Sequence, residues 1–327
     1  MDVNSERRTA QPGSAWSGLV NDLRGQAAEL LASGCVSVVI GYANGWDPSR
    51  PVPYFARSPA QAQDLVFDSR CALSLVKYVL DWIPGARRTA ASRRAAAPAG
   101  SAAGDRAGAA VTKVAVVLKG CDALGLRRLI MDRRVSRDAV YAIGVRCNGV
   151  QSPDAQCGVL LPKCTGCESF EPADCDIVLG IPADPATFGK RDLSKVDEFE
   201  ASTADSRYAF WARQMRRCIR CYACRNVCPA CHCRECSLEP SKGPWLTRER
   251  DVPEQAMFQF ARAFHVAGRC VDCGECERVC PVGIPLALLN RKAMRDIKHL
   301  FGVERPGVPG ETEPLGRFSQ DDPEEFM

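Results

Sequence analysis

Apolar positions in the first third of the chain change period twice. Leu19, Val20, Leu23, Ala27, Leu30 and Leu31 recur at helical spacing until Gly34 interrupts them. Residues 36–40 then form a short unbroken apolar run before Gly41, the pattern of a buried strand. A second helical stretch is expected at about 69–80. Residues 84–110 contain almost no large apolar side chain and cannot offset the entropy of ordering, so a flexible insertion is expected there. Its paired arginines, Arg87, Arg88, Arg93 and Arg94, are expected to be solvated. Order resumes with KVAVVL at 113–118, a strand by length and β-branched content, followed by a turn through Lys119, Gly120 and Cys121 and a helix at about 122–134. Residues 139–145 and 176–180 read as further strands. Alternating strands and helices predict an α/β domain over 15–190. Beyond about Ser202 the periodicity turns helical. One helix runs into a cysteine motif, a second starts near Pro253 and stops at Gly268, and a third covers about 285–300. The expected fold class is therefore an α/β domain followed by a mainly α-helical, dicluster ferredoxin-type domain over 203–301. A poorly ordered tail is expected at 302–327.

Composition narrows the chemistry. The hydrophobic fraction is 46% and the charged fraction 25%, ordinary for a globular chain of 327 residues. A formal charge of +4 is small, and thiolate-ligated clusters would lower it, so charge says nothing of nucleic acid; the scarcity of interleaved basic and aromatic residues argues against that partner. No run approaches the length of a membrane span, and the N-terminal residues lack the apolar core of a secretory signal. The 19 cysteines then point to metal in a reducing, cytoplasmic setting rather than to a disulfide scaffold.

Two cysteine runs carry the strongest signal. Cys218, Cys221, Cys224 and Cys228 precede Pro229, and Cys270, Cys273, Cys276 and Cys280 precede Pro281. Each reads C-x2-C-x2-C-x3-C-P, the two-cluster ferredoxin spacing in which the fourth cysteine ligates the other cluster. Three closely spaced thiolates wrap three corners of a cubane, and the proline directs the chain away. Crossed ligation assigns Cys218, Cys221, Cys224 and Cys280 to one [4Fe-4S] cluster and Cys270, Cys273, Cys276 and Cys228 to the other. The bland alternative is zinc, which uses cysteines in two pairs per site. Arg216, Arg217, Arg220 and Arg225 flank the first loop, whereas Asp272, Glu275 and Glu277 flank the second. The first-loop cluster is therefore expected to have the higher potential. Between the motifs, Cys231, His232, Cys233 and Cys236 leave three readings open: a further metal, redox chemistry or pocket lining. His265 falls on an apolar helical face with Met257, Phe260, Ala261 and Phe264, and is expected in the core or at its rim.

Four stretches of the α/β region carry a family resemblance: LKGCDALGL around Cys121, IGVRCNG around Cys147, KCTGC at Cys164 and Cys167, and ADCDIVLG ending at Gly180. Over about 30–185 their order resembles the β subunits of coenzyme F-420-reducing hydrogenases and related formate dehydrogenases. The C-terminal motifs resemble the dicluster extension of heterodisulfide-reductase-associated members. The resemblance implies that Cys121, Cys147, Cys164 and Cys167 hold a third [4Fe-4S] cluster, with Cys157 and Cys175 as substitute ligands. The alternative for these residues is buried structural cysteine, the reading also given to Cys35 and Cys71. The resemblance further implies FAD, although the chain has neither a G-x-G-x-x-G fingerprint nor a P-loop. The implied partners are redox subunits of hydrogenase, formate dehydrogenase or heterodisulfide-reductase type. The functional expectation is an iron–sulfur electron-transfer subunit using two or three clusters. It competes with a flavin-free adaptor lacking its own substrate, and with a zinc-binding structural protein. No acid, base or nucleophile stands out.

Overall fold

A computed structural model describes residues 14–83, 113–151, 159–182, 193–233, 236–239, 246–247 and 249–303. The expected insertion at 84–110 lies outside them, as do Cys157 and all but the first two residues of the expected tail. The chain divides into two compact units, 1–192 with 232–235, and 193–231 with 236–327.

The first unit is built on a mixed sheet. Its strands are β1 (Val36–Ala43), β2 (Val52–Ala56), β3 (Leu65–Val66), β4 (Lys113–Leu118), β5 (Val140–Val145) and β6 (Ile177–Leu179). The order is β2-β1-β4-β5-β6, with β3 paired to the end of β1 through Tyr42 and Ala43. β1, β4, β5 and β6 run parallel, while β2 and β3 are antiparallel to β1. β4 and β5 are apolar along almost their whole length because both sheet faces are covered, as parallel sheets require. Helix α1 (Ser14–Ala32) buries Leu19, Leu23, Ala27 and Leu30 in the same core as the strands.

The expected helix at 69–80 does not form. The segment is irregular apart from a 3-10 turn at Val76–Tyr78 and one helical turn, α2 (Val79–Trp82). Its apolar residues are nevertheless buried: Cys71, Leu75, Val76 and Val79 are fully enclosed, so the helical spacing reports burial rather than helix. Strands β2 and β3 had no sequence signal: prolines at 51 and 53 mask β2 at the sheet edge, and β3 is only two residues long. Cys35, expected in the core, is exposed, whereas Cys71 is buried as expected. After β4 the chain enters α3 (Gly120–Met131), which connects to β5. A Cβ on Gly120 would lie 1.9 Å from the Ser169 carbonyl oxygen, so only glycine lets the 169–171 backbone approach the start of α3.

The second unit is helical. It contains α4 (Ser194–Ala201), α5 (Ala204–Arg217), α6 (Ala223–Val227), α7 (Val252–His265), α8 (Glu275–Arg278) and α9 (Leu286–Phe301). Thr203 caps α5 by accepting from Ser206 N, and Asp251 caps α7 by accepting from Glu254 N. Phe199, Phe210 and Trp211 pack edge to face, and Trp211 meets Phe260 of α7 at 6.3 Å between ring centroids. Helix α7 buries a mixed face, in which Phe258 and Ala263 join three polar residues. Gln255, Gln259 and Arg262 are buried, whereas Met257 and Phe264 are 52% and 76% exposed and His265 is exposed as well. His265 is thus a surface residue, because this helix turns its polar stripe toward the cysteine loops.

Candidate metal centres

The two C-terminal cysteine loops share one backbone shape. In the first, Arg220 and Tyr222 adopt φ of 49° and 62°; in the second, Asp272 and Gly274 adopt 50° and 67°. These are equivalent positions, on either side of the second cysteine of each motif. Three of the four are not glycine, so each loop holds a left-handed conformation that L side chains rarely adopt. Alternation of right- and left-handed residues turns successive N–H groups to one side and makes a concavity suited to an anionic group, as at many iron–sulfur sites. A short helix, α6 or α8, follows each loop and carries the third cysteine, Cys224 or Cys276.

The cysteines group across the two loops. Cys218, Cys221 and Cys224 line one small cavity together with Cys280 from the second motif. Phe258, Ile284 and Leu286 close it with apolar surface. On the other side, burial pushes the Cys270 thiol up to about 12, with further upward contributions from Asp272 and from Cys228 of the first motif. Burial likewise raises Cys273 and Cys276, and Cys228 contributes in both cases. Cys228 therefore stands within electrostatic reach of all three. Buried thiols resist ionisation, so a bound cation must draw their protons off. Among the described residues no three His, Cys, Asp or Glu side chains converge on a single-ion position. A cubane does not ask for that arrangement, because each thiolate binds a different iron.

Hydrogen bonds reach the sulfurs from two helices and one loop. Gln259 of α7 directs Nε2 at Cys218 Sγ (3.6 Å) and Cys224 Sγ (3.9 Å). Asn290 of α9 donates Nδ2–H to Cys276 Sγ at 3.3 Å, and Ile284 N donates to Cys280 Sγ at 3.4 Å. The charges that distinguish the two loops in the sequence are mostly paired. Arg220 bonds Gln255 and the Thr247 and Glu249 carbonyls, and Arg225 pairs with Glu239. Asp272 meets Arg291 at 3.0 Å and Glu275 meets Arg278 at 2.7 Å, while Glu277 accepts from Ala287 N. The charge contrast behind the expected difference in potential is thus smaller than the bare sequence implies.

In the first unit, Cys121 lies in the first turn of α3, Cys147 just beyond β5, and Cys164 and Cys167 in the loop before β6. Burial raises Cys147 to about 12, with Cys164 and Cys167 adding to it and Lys119 opposing. Cys121 is raised by burial and Asp122, opposed by Lys163 and Lys119, and feels Cys147. Val150 N donates to Cys164 Sγ and Ser169 N to Cys167 Sγ, both at 3.4 Å. Cys175 packs against Gly144 of β5. The sequence reading missed what surrounds these cysteines: Lys119, 1% exposed, forms an ion pair with Asp122 at 2.8 Å and bonds Tyr42 Oη and the Leu73 carbonyl. Burial is the largest influence and opposes the Lys119 charge, but Asp122, Tyr42 and Cys121 together outweigh it and keep the ammonium protonated. Of the intervening motif, His232 Nε2 lies 2.5 Å from Asp132 Oδ2, while Cys236 adds to the field at Arg225.

A sheet unit bearing grouped cysteines and a helical unit with two matched cysteine loops define the class: an iron–sulfur electron-transfer subunit of oxidoreductase type. Comparison with known proteins agrees. Residues 214–284 match the 4Fe-4S dicluster domain family. The chain is 24% identical over 291 residues to an F420-dependent formate dehydrogenase subunit beta of Methanocaldococcus jannaschii, covering 62% of this chain and 76% of that one. It is 43% identical over 104 residues to the F420-dependent formate dehydrogenase 1 subunit beta of Methanococcus maripaludis, a match covering 32% of this chain and 26% of that one. The succinate dehydrogenase iron-sulfur subunit of Bacillus subtilis is 30% identical over 105 residues, 29% of this chain and 42% of that one. The chain carries [4Fe-4S] clusters, and no described helix is long and apolar enough to cross a membrane.

Proposed function

We propose that this chain passes electrons between the subunits of a cytoplasmic, formate-dehydrogenase-type complex. In this reading Cys218, Cys221, Cys224 and Cys280 hold one cluster, Cys270, Cys273, Cys276 and Cys228 the second, and Cys121, Cys147, Cys164 and Cys167 a third. The observation that carries it is the crossed grouping of the C-terminal cysteines: Cys280 shares a cavity with the first motif, and Cys228 shares the field of the second. Each cubane supplies one-electron redox chemistry. The chain's own residues hold its thiolates, donate hydrogen bonds to their sulfurs and keep water out with Phe258 and Leu286.

Single-cysteine variants test the crossing. With C280A the first-loop cluster should be lost or perturbed and the second should persist; C228A should do the reverse. Anaerobic EPR of each variant reads this, and loss of the same-motif cluster in each case would reject the assignment. Iron of about eight per chain means two cubanes and about twelve means three. FAD is implied only by the β-subunit resemblance; flavin released on acid denaturation separates a flavin-bearing enzyme subunit from an electron-carrying adaptor.

A further inference from the structure

Arg262 is one of the largest fully buried side chains among the described residues, at 1% exposure. Its Nε donates to Gln259 Oε1 at 3.2 Å. Nη1 and Nη2, both enclosed, have no hydrogen-bond partner among the described residues. No carboxylate pairs with it in the described structure; what faces it is sulfur. Burial works against its charge, and Cys276, Cys224, Cys228 and Cys231 favour it. The relation holds from the other side too: after burial, Arg262 is the foremost influence on both Cys224 and Cys276, lowering each.

Those neighbours belong to different centres. Cys224 lines the first cavity, whereas Cys276 and Cys228 stand in the second group. Gln259, which fixes Arg262 Nε, directs its own amide at Cys218 and Cys224. A permanent cation buried without a counter-ion is unfavourable unless something anionic occupies the space beside it. A reduced cubane on four thiolates is such a group.

We propose that Arg262 is a charge shared by the two C-terminal clusters, held by Gln259 on the buried face of α7 and raising the reduction potential of both. The assignment rests on the cluster reading above. Reduction adds negative charge to a cubane, and a fixed cation beside it in a low-dielectric interior favours that state. Because one guanidinium serves both centres, the two potentials move together. Its Nη–H groups, without a partner among the described residues, leave donor capacity for a cluster sulfide.

The test is an anaerobic redox titration followed by EPR on the full chain, comparing wild type, R262K and R262Q, with iron counted in each. R262Q is expected to shift both potentials downward, and R262K to keep them close to wild type. If R262Q assembles no cluster while R262K assembles both, the requirement for charge stands. Unchanged potentials in R262Q, a shift confined to one centre, or an equal fall or equal loss of clusters in both variants would overturn the shared-charge role. Wild type without iron would instead reject the cluster reading itself.

Discussion

Sulfur in this protein is governed by its neighbours. Asn290 reaches Cys276 Sγ from α9, a donor that in the proposed assignment stabilises the more negative, reduced state of the second centre. Asn290→Leu should lower that centre's potential by an amount on the order of 1 kcal/mol and leave the first centre in place, as redox titration by EPR can resolve. Cys71 has no part in the cysteine groups, and burial pushes its thiol up to about 12. Its folded pKa lies above the unfolded one, so its contribution to stability is whole below about pH 9 and is lost as pH rises from there toward 12. Alkylating reagent at pH 8 should leave Cys71 unmodified in the folded protein and modify it after denaturation, which peptide mass mapping would register. Lys119 and Asp122 illustrate the cost of splitting a buried pair. Lys119→Met leaves the Asp122 carboxylate enclosed without its ammonium, and a loss of about 3–5 kcal/mol is expected in denaturant unfolding.

At the scale of elements, close approach and the choice of buried face matter most. The start of α3 and the 169–171 segment touch backbone to backbone at Gly120. Gly120→Ala would force one of them to move, with a destabilisation of about 1–3 kcal/mol by thermal or denaturant unfolding. It should also loosen the grouping of Cys121 with Cys147, since α3 carries the first of these. Helix α7 was legible in the sequence as a helix, with its N-terminal proline and its apolar stripe. Which face it buries was not: Gln255, Gln259 and Arg262 recur at i, i+4 and i+7 as regularly as the apolar residues do. Periodicity identifies a helix, but the neighbours choose the inward face. The stretch at 69–80 makes the same point, because residues at helical spacing became enclosed loop.

For the whole molecule, two units divide the labour between a sheet that presents cysteines at the ends of β4 and β5 and a helical unit that folds around paired loops. The exposed Tyr208, Met257 and Phe264 put apolar surface on the helical unit, and an electron relay needs partner redox subunits. Phe264→Ser should therefore leave unfolding midpoint and iron content within error of wild type while weakening copurification with a partner subunit. A fall in midpoint would show instead that the ring supports the fold.

Cysteine spacing alone determined the cluster type and the class of chemistry, because ligand geometry around a cubane is local to a few residues of chain. The same locality made α1, β1, β4, β5, β6 and the long C-terminal helices readable. What required the tertiary structure is everything set by contacts distant in sequence: the inward mixed face of α7, the pairing of loop charges with Arg291, Arg278 and Glu239, and the ammonium of Lys119 beside Tyr42 and Asp122. A side chain's period along the chain records that it has a buried face, whereas its electrostatic surroundings are created only when remote segments close around it.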